Sequence, residues 1–323
     1  MKSIILGILA SSFFAMTFIL NRAMDLSGGS WVWSAVLRFV FMVPFLLVIV
    51  GLRGDLKGLL SELSAKPLTW LTWSSVGFGL FYAPICFAAA YGPSWLVASM
   101  WQITIVAGSL LVPFFSDVIE TPEGTKTVRQ RIPVKGLFIS LIILVGIAVM
   151  QIEQAKHLST TEVVIGIVPV IFAAFAYPLG NRKMRAVCEG RLDTYQRVLG
   201  MTLASLPFWL ILSVYGLASA GSPSFSQTVQ ALIVAVSSGV IATLLFFYAT
   251  DITKGDVHKL AAVEATQSGE VIFALMGEIF LLRGKMPSIM SVAGMSLVII
   301  GMVLHSFASQ SKSIDINGGI VGD

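Results

Sequence analysis

The apolar residues of this chain fall in blocks of about 20, the length that carries an α-helix across a bilayer. No other feature narrows the fold as much. Lipid offers no partner to a backbone N–H or C=O, so such blocks cross as helices. Ten are counted, over 3–24, 30–52, 68–90, 94–116, 134–152, 163–181, 196–217, 228–250, 257–282 and 287–308. The chain therefore reads as an all-α polytopic membrane protein with ten transmembrane helices. Composition agrees: 56% of the 323 residues are hydrophobic and 12% are charged, too few for a soluble surface. The first block follows Lys2, lacks a small-x-small cleavage site and leads into further spans, so it reads as retained rather than as a signal peptide. The residues 309–323 read as a disordered cytoplasmic tail.

Charge sets the orientation. With ten spans, both termini and the even-numbered loops share one side. Of the 21 Lys and Arg, 16 fall on that side, four (Arg22, Lys156, Arg283, Lys285) on the other, and Arg38 lies inside the second span. The excess places both termini in the cytoplasm. The basic balance thus reports cytoplasmic loops and is no signal for nucleic acid. The two cysteines, Cys86 and Cys188, make neither a disulfide framework nor a zinc pattern.

Landmarks in the first half return in the second, in the same order. Asn21-Arg22-x-Met24 recurs as Asn181-Arg182-x-Met184, at an offset of 160. Pro44-Phe45, Ser74-Ser75 and Gly92 recur as Pro207-Phe208, Ser237-Ser238 and Gly255, all at 163. "SLII" at 140–143 resembles "SLVI" at 296–299, at 156, because the loop at 117–133 is longer than its counterpart. The expected organisation is a five-helix repeat over 1–152 and a second over 153–308. Five is odd, so the second copy is inverted, an architecture of secondary transporters.

"FILNRAM", its echo "PLGNRKM" and the ninth-span stretch "GEVIFALMGEIFLLRGKMPS" resemble the drug/metabolite transporter superfamily. The resemblance runs from residue 3 to 308 and lies in the ten-span branch of paired repeats, nearest the multidrug-resistance efflux group. It implies a secondary transporter, an efflux antiporter of the plasma (bacterial inner) membrane, with no cofactor.

Ionisable groups inside spans are costly and ask for a reason. The ninth span holds Glu264, Glu270 and Glu278, which at about 100° per residue fit one broad face. Glu270 lies nearest the midplane. Desolvation penalises a carboxylate anion, so a carboxyl in a dry cavity can bind and release a proton within one cycle. The expectation is that Glu270, with Glu264 and Glu278 as lesser candidates, serves substrate and proton. Arg38 either pairs with a glutamate or contacts substrate, and pairing is preferred. Trp101 and Gln102, with Tyr82, are candidates for a lipophilic cation's site; Tyr177 and Tyr248 are weaker ones. Trp31, Trp33, Trp70, Trp73 and Trp95 fall near span ends and read as an interfacial belt. Pro44 and Pro207 are candidate hinges. Gly294 and Gly301 suit close helix packing and a homodimer.

The expected function is proton-coupled export of small organic molecules by alternating access. The alternatives are metabolite or amino-acid uptake, a channel-like permease, a receptor and a membrane-embedded enzyme. The last lacks a phosphate-binding loop and a His-Glu-x-x-His pattern, and the three histidines, His157, His258 and His305, sit at or near span ends.

Overall fold

A computed structural model describes residues 1–54, 56–121, 124–129, 132, 134–155, 160–188, 190–253 and 262–310. The tail beyond 310 and the start of the ninth block lie outside the described residues.

The chain is helical almost throughout. The helices are α1 (Lys2–Leu26), α2 (Trp31–Leu52), the short amphipathic α3 (Leu56–Ala65), α4 (Pro67–Ala88), α5 (Ser94–Leu110), α6 (Val134–Ala155), α7 (Thr160–Cys188) and α8 (Thr194–Ala220). After them come α9, running from Phe225–Val234 through Ala235–Ala242 into Thr243–Asp251, then α10 (Gly269–Phe280) and α11 (Ile289–Gln310). Seven of these, α1, α2, α4, α7, α8, α9 and α11, are long and apolar enough to cross a membrane. Apolar stretches of α5 and α6 are shorter, and α10 follows a 3-10 turn, Thr266–Ser268, that breaks the helical run. The protein is thus a polytopic, membrane-spanning helical bundle.

Local chemistry explains the ends. Ser30 Oγ accepts from Val32 N–H at the start of α2. Asp193 and Gln196 form a capping box at α8, each side chain accepting from the other's backbone N–H at 2.8 Å. Two helices wind wider for a stretch: Ser75–Gly79 in α4 and Ala235–Ala242 in α9 are π-helical. These contain Ser75 and Ser237-Ser238, from the serine pairs that the sequence relates at an offset of 163. The loop expected at 117–133 instead holds an antiparallel hairpin, Ser116–Thr121 with Gly124–Arg129, in which Ser116 faces Arg129. Its β-rich stretches "DVIE" and "KTVR" are too short and too charged to register as spans, so a count of apolar blocks overlooks them.

Glycines decide which helices meet. A Cβ on Gly146 would lie 2.6 Å from Gly294 O, and one on Gly294 would lie 2.7 Å from Gly146 O, so α6 and α11 run backbone to backbone. Gly301 likewise abuts Ile143 of α6. The Gly294/Gly301 face therefore serves close helix packing within the chain, as the spacing suited. Gly180 of α7 abuts the Gly77 backbone in the π-helical part of α4. Gly7 and Ser11 of α1 meet Thr266 and Gly269, holding α1 against the broken ninth block. The remaining main contact joins α2 to α8, with Phe39 stacked on Trp209 at 4.6 Å.

Side-chain ties gather at two ends of the bundle. At one end, Trp33 Nε1 donates to Gly221 O, Gln227 Nε2 to Ser30 O, and Arg22 to Asp25 and to the carbonyls of Ala89 and Ala90. At the other, Lys2 meets Tyr248, Arg53 pairs with Asp193, Arg191 with Glu62, and Arg182 donates to Gly108 O.

The tryptophan belt needs correction. Trp33, Trp70 and Trp95 are buried in the protein rather than set at a lipid surface. Gly200 makes room for Trp70, since any Cβ there would strike the indole ring, and α3 closes over it through Leu59. Distance from a span end fixes depth, not which side of the helix a ring occupies.

Candidate functional site

Three helices bring one polar cluster together. Arg38 comes from α2, Tyr82 from α4 and Asn21 from α1. Arg38 is 8% exposed, with its guanidinium 4.1 Å from the centroid of the Tyr82 ring and 5.6 Å from that of Phe39. Its Nε and Nη1 are buried with no hydrogen-bond partner, and no carboxylate among the described residues pairs with it. The preferred expectation that a glutamate neutralises Arg38 is therefore not what the structure shows. Tyr82 is fully buried and exchanges hydrogen bonds with Asn21, Asn21 Nδ2 donating at 3.2 Å. Asn21 is 2% exposed. The sequence marked it as part of a repeat and as a residue that could bridge helix ends, and its polarity within an apolar block was the available signal.

Beside Tyr82 runs an aromatic wall. Phe81, Trp101 and Tyr177 pack mutually, with ring centroids 4.8–5.4 Å apart, and Phe81 continues to Tyr82 at 5.8 Å. Geometries are tilted or edge-on, as aromatic quadrupoles prefer. Tyr177 is 38% exposed. Phe81 carries no signal of its own in sequence; only its neighbour Tyr82 points to it. Gln102 is buried and bonds back to Ala98 O, at the turn that divides α5 into Ser94–Trp101 and Ile103–Leu110. It marks a helix break next to the wall.

The three glutamates separate. Glu270 is 6% exposed, in the first turn of α10, directly after the 3-10 break. It makes no hydrogen bond or ion pair with any described residue. α10, which carries Glu270, packs against the part of α5 that carries Trp101. Glu278 is committed elsewhere. Its Oε2 accepts from Ser94 N–H at 2.8 Å and Ser94 Oγ at 2.7 Å, so it caps α5 and ties it to α10. An acceptor at a helix N-terminus gives Glu278 a structural role there. Glu264 is half-buried on the short helical piece at 262–265, and it is engaged in an interaction of its own. Pro44 and Pro207 lie inside α2 and α8, which continue as helices through both; the irregular stretches are in α4, α5, α9 and ahead of α10.

Among the described residues the bundle therefore holds a buried cation and a buried acid without ion-pair partners, with an aromatic wall beside the cation. Among the described residues, no group of three or more His, Cys, Asp or Glu could hold a metal.

Comparison with known proteins agrees with this picture of a transport bundle. A family model described as "Putative multidrug resistance efflux transporter" (EmrE) matches residues 1–311. The chain is 62% identical over 312 residues to "Uncharacterized protein YjlA" of Bacillus subtilis (strain 168), covering 97% of this chain and 96% of that one. It is 52% identical over 270 residues to an "Uncharacterized 42.1 kDa protein in intracellular alkaline protease 3'region" of Shouchella clausii, covering 84% and 70%. A protein of known crystal structure shares the fold at a TM-score of 0.59 and 14% identity, over 96% of this chain and 99% of that one. The family is one of membrane transporters, not of enzymes. With its model matched along nearly the whole chain, this protein belongs to the EmrE multidrug resistance efflux transporter family.

Proposed function

We propose that the chain is a secondary active transporter that exports small organic molecules, drugs or metabolites, in exchange for protons by alternating access. One observation carries this reading: Glu270, an acid buried in a membrane bundle with no partner among the described residues. Such a group is expensive to keep, and intramembrane carboxyls of this kind mark proton and substrate paths. When the site opens outward, a proton neutralises Glu270 and substrate leaves. When it opens inward, the proton departs and the carboxylate receives substrate. Occupancy by one excludes the other, so proton influx drives efflux.

The same reading takes ten helices as spans, arranged as inverted five-helix repeats over 1–152 and 153–308. The packing supports it. The second members, α2 and α8, contact each other, as do the fifth members, α6 and α11. The first member α1 touches α9 and α10, while its counterpart α7 touches α4 and α5. This pattern maps onto itself when the halves are exchanged, as an internal two-fold requires. The two sets of end ties agree with a sidedness in which both termini are cytoplasmic, in a plasma (bacterial inner) membrane. Pro44 and Pro207 lie on the contacting pair α2 and α8, where bending would rock one half against the other.

The test is transport in proteoliposomes under an imposed pH gradient, with a panel of lipophilic cations and aromatic amino acids. The parent should accumulate at least one compound in response to the gradient and exchange it by counterflow. Glu270→Gln should lose the gradient response. Full gradient-driven transport in Glu270→Gln removes the assignment, and flux without counterflow in the parent makes the protein a channel.

A further inference from the structure

We infer that the transported molecule carries a carboxylate and that Arg38 receives it, with Asn21 and Tyr82 completing the anion subsite. This rests on the transporter reading and specifies its substrate class.

Arg38 is the starting point. Other arginines of the bundle have oxygen partners: Arg22 with Asp25 and two carbonyls, Arg53 with Asp193, Arg182 with Gly108 O, Arg191 with Glu62. Arg38 lies deeper and has two nitrogens with none. A guanidinium remains charged at any pH a protein experiences, and a buried charge left unpaired is strongly destabilising. The face of Tyr82 compensates only part of that cost. An arriving anion would supply the rest.

The surroundings favour a carboxylate. The Asn21–Tyr82 pair stands beside the guanidinium and brings further donors from two other helices. A single guanidinium balances one carboxylate, whereas a phosphate carries ~1.5 to 2 negative charges near neutral pH and would leave net charge in a dry site. Phe81, Trp101 and Tyr177 provide an apolar surface for the body of the molecule. Trp101 of this wall lies on α5, against which α10, the helix of Glu270, packs. The site fits an organic acid with an aromatic or branched apolar body; an amine on that body would turn toward Glu270. A cation without a carboxylate meets Arg38 as a like charge.

Calorimetric titration of the purified full chain in nanodiscs tests this with four probes: 3-phenylpropionate, its uncharged amide, L-phenylalanine and phenethylamine. In the parent, each acid should bind about tenfold or more tighter than its carboxylate-free counterpart, the scale of a hydrogen bond to a charged group. Arg38→Gln should erase the difference, and Arg38→Lys should restore part of it. Equal affinity of acid and amide in the parent overturns the inference without any variant having to fold, and so does failure of both acids to bind. Gradient-driven uptake of tetraphenylphosphonium separates the two readings. If that cation is pumped in a Glu270-dependent way while acid and amide bind alike, the transporter reading stands and the carboxylate site falls. If acids are preferred and nothing is pumped, the Arg38 subsite stands and the transporter reading falls.

Discussion

The matching dipeptides Asn21-Arg22 and Asn181-Arg182 do different work. Asn21 is buried and locked to Tyr82 across helices, at the edge of the polar cluster. Asn181 is half-buried and, among the described residues, donates to Tyr177 O, four residues back in its own helix. The difference extends to the rest of the site. At the offset of 163 that relates Pro44 to Pro207, Arg38 corresponds to Met201, which is buried and apolar. Backbone features, by contrast, are kept in both halves: a π-helical stretch in α4 and in α9, and a shared glycine contact between α6 and α11. On the proposed two-repeat reading the frame is kept in both halves, while Arg38 has no charged counterpart in the second.

Three predictions sharpen this contrast. The largest effect belongs to the frame. Gly180→Ala puts a methyl into the Gly77 backbone and should cost about 3 kcal/mol or more, because neither backbone can move without shifting a whole helix. Thermal unfolding in detergent should show it, and Gly146→Ala and Gly294→Ala should fall in the same class and match each other. An intermediate effect separates the two asparagines. Asn21→Ala leaves the buried Tyr82 hydroxyl unpaired and should cost about 1–3 kcal/mol, together with a loss of transport. Asn181→Ala should stay within about 0.5 kcal/mol with transport intact. Equal effects at both would dissolve the contrast.

The smallest effect concerns the tie between α3 and the segment after α7. Arg191, hydrogen-bonded to Glu62 at 2.6 Å, holds the Glu62 carboxyl below the usual carboxylate range. A lowered folded-state value means that the stabilisation is present at neutral pH and fades as pH falls through that value, below the ordinary ~4.3. The pair is largely exposed, so it is worth less than about 1 kcal/mol. Arg191→Gln should lower the melting temperature slightly at pH 7, and the difference from the parent should shrink as the pH is lowered below the ordinary carboxylate range.

Block length and polarity made the helical bundle legible, because a bilayer demands long apolar runs whatever their detailed packing. The same logic drew attention to Glu270 and Arg38, whose charges stand out within apolar text. What stayed hidden was direction around each helix. Glu278 carries the same letter as Glu270, yet it faces the start of α5 and is consumed there. Trp70 reads as a belt residue until Gly200 and Leu59 are found against it. Arg38 was expected beside an acid because an isolated buried charge is costly; among the described residues it has aromatic rings but no carboxylate beside it, and that mismatch motivates the proposed substrate class.

The account depends most on the two halves crossing the membrane in opposite senses. Single cysteines at Ser27, after α1, and at Ala186, near the end of α7, probe it directly, since both positions are exposed. The background would have the two buried native cysteines, Cys86 and Cys188, replaced. A membrane-impermeant maleimide applied to intact cells should label Ser27→Cys at once and Ala186→Cys only after permeabilisation. Labelling of both from the same side would contradict the inverted repeat and the carrier built on it.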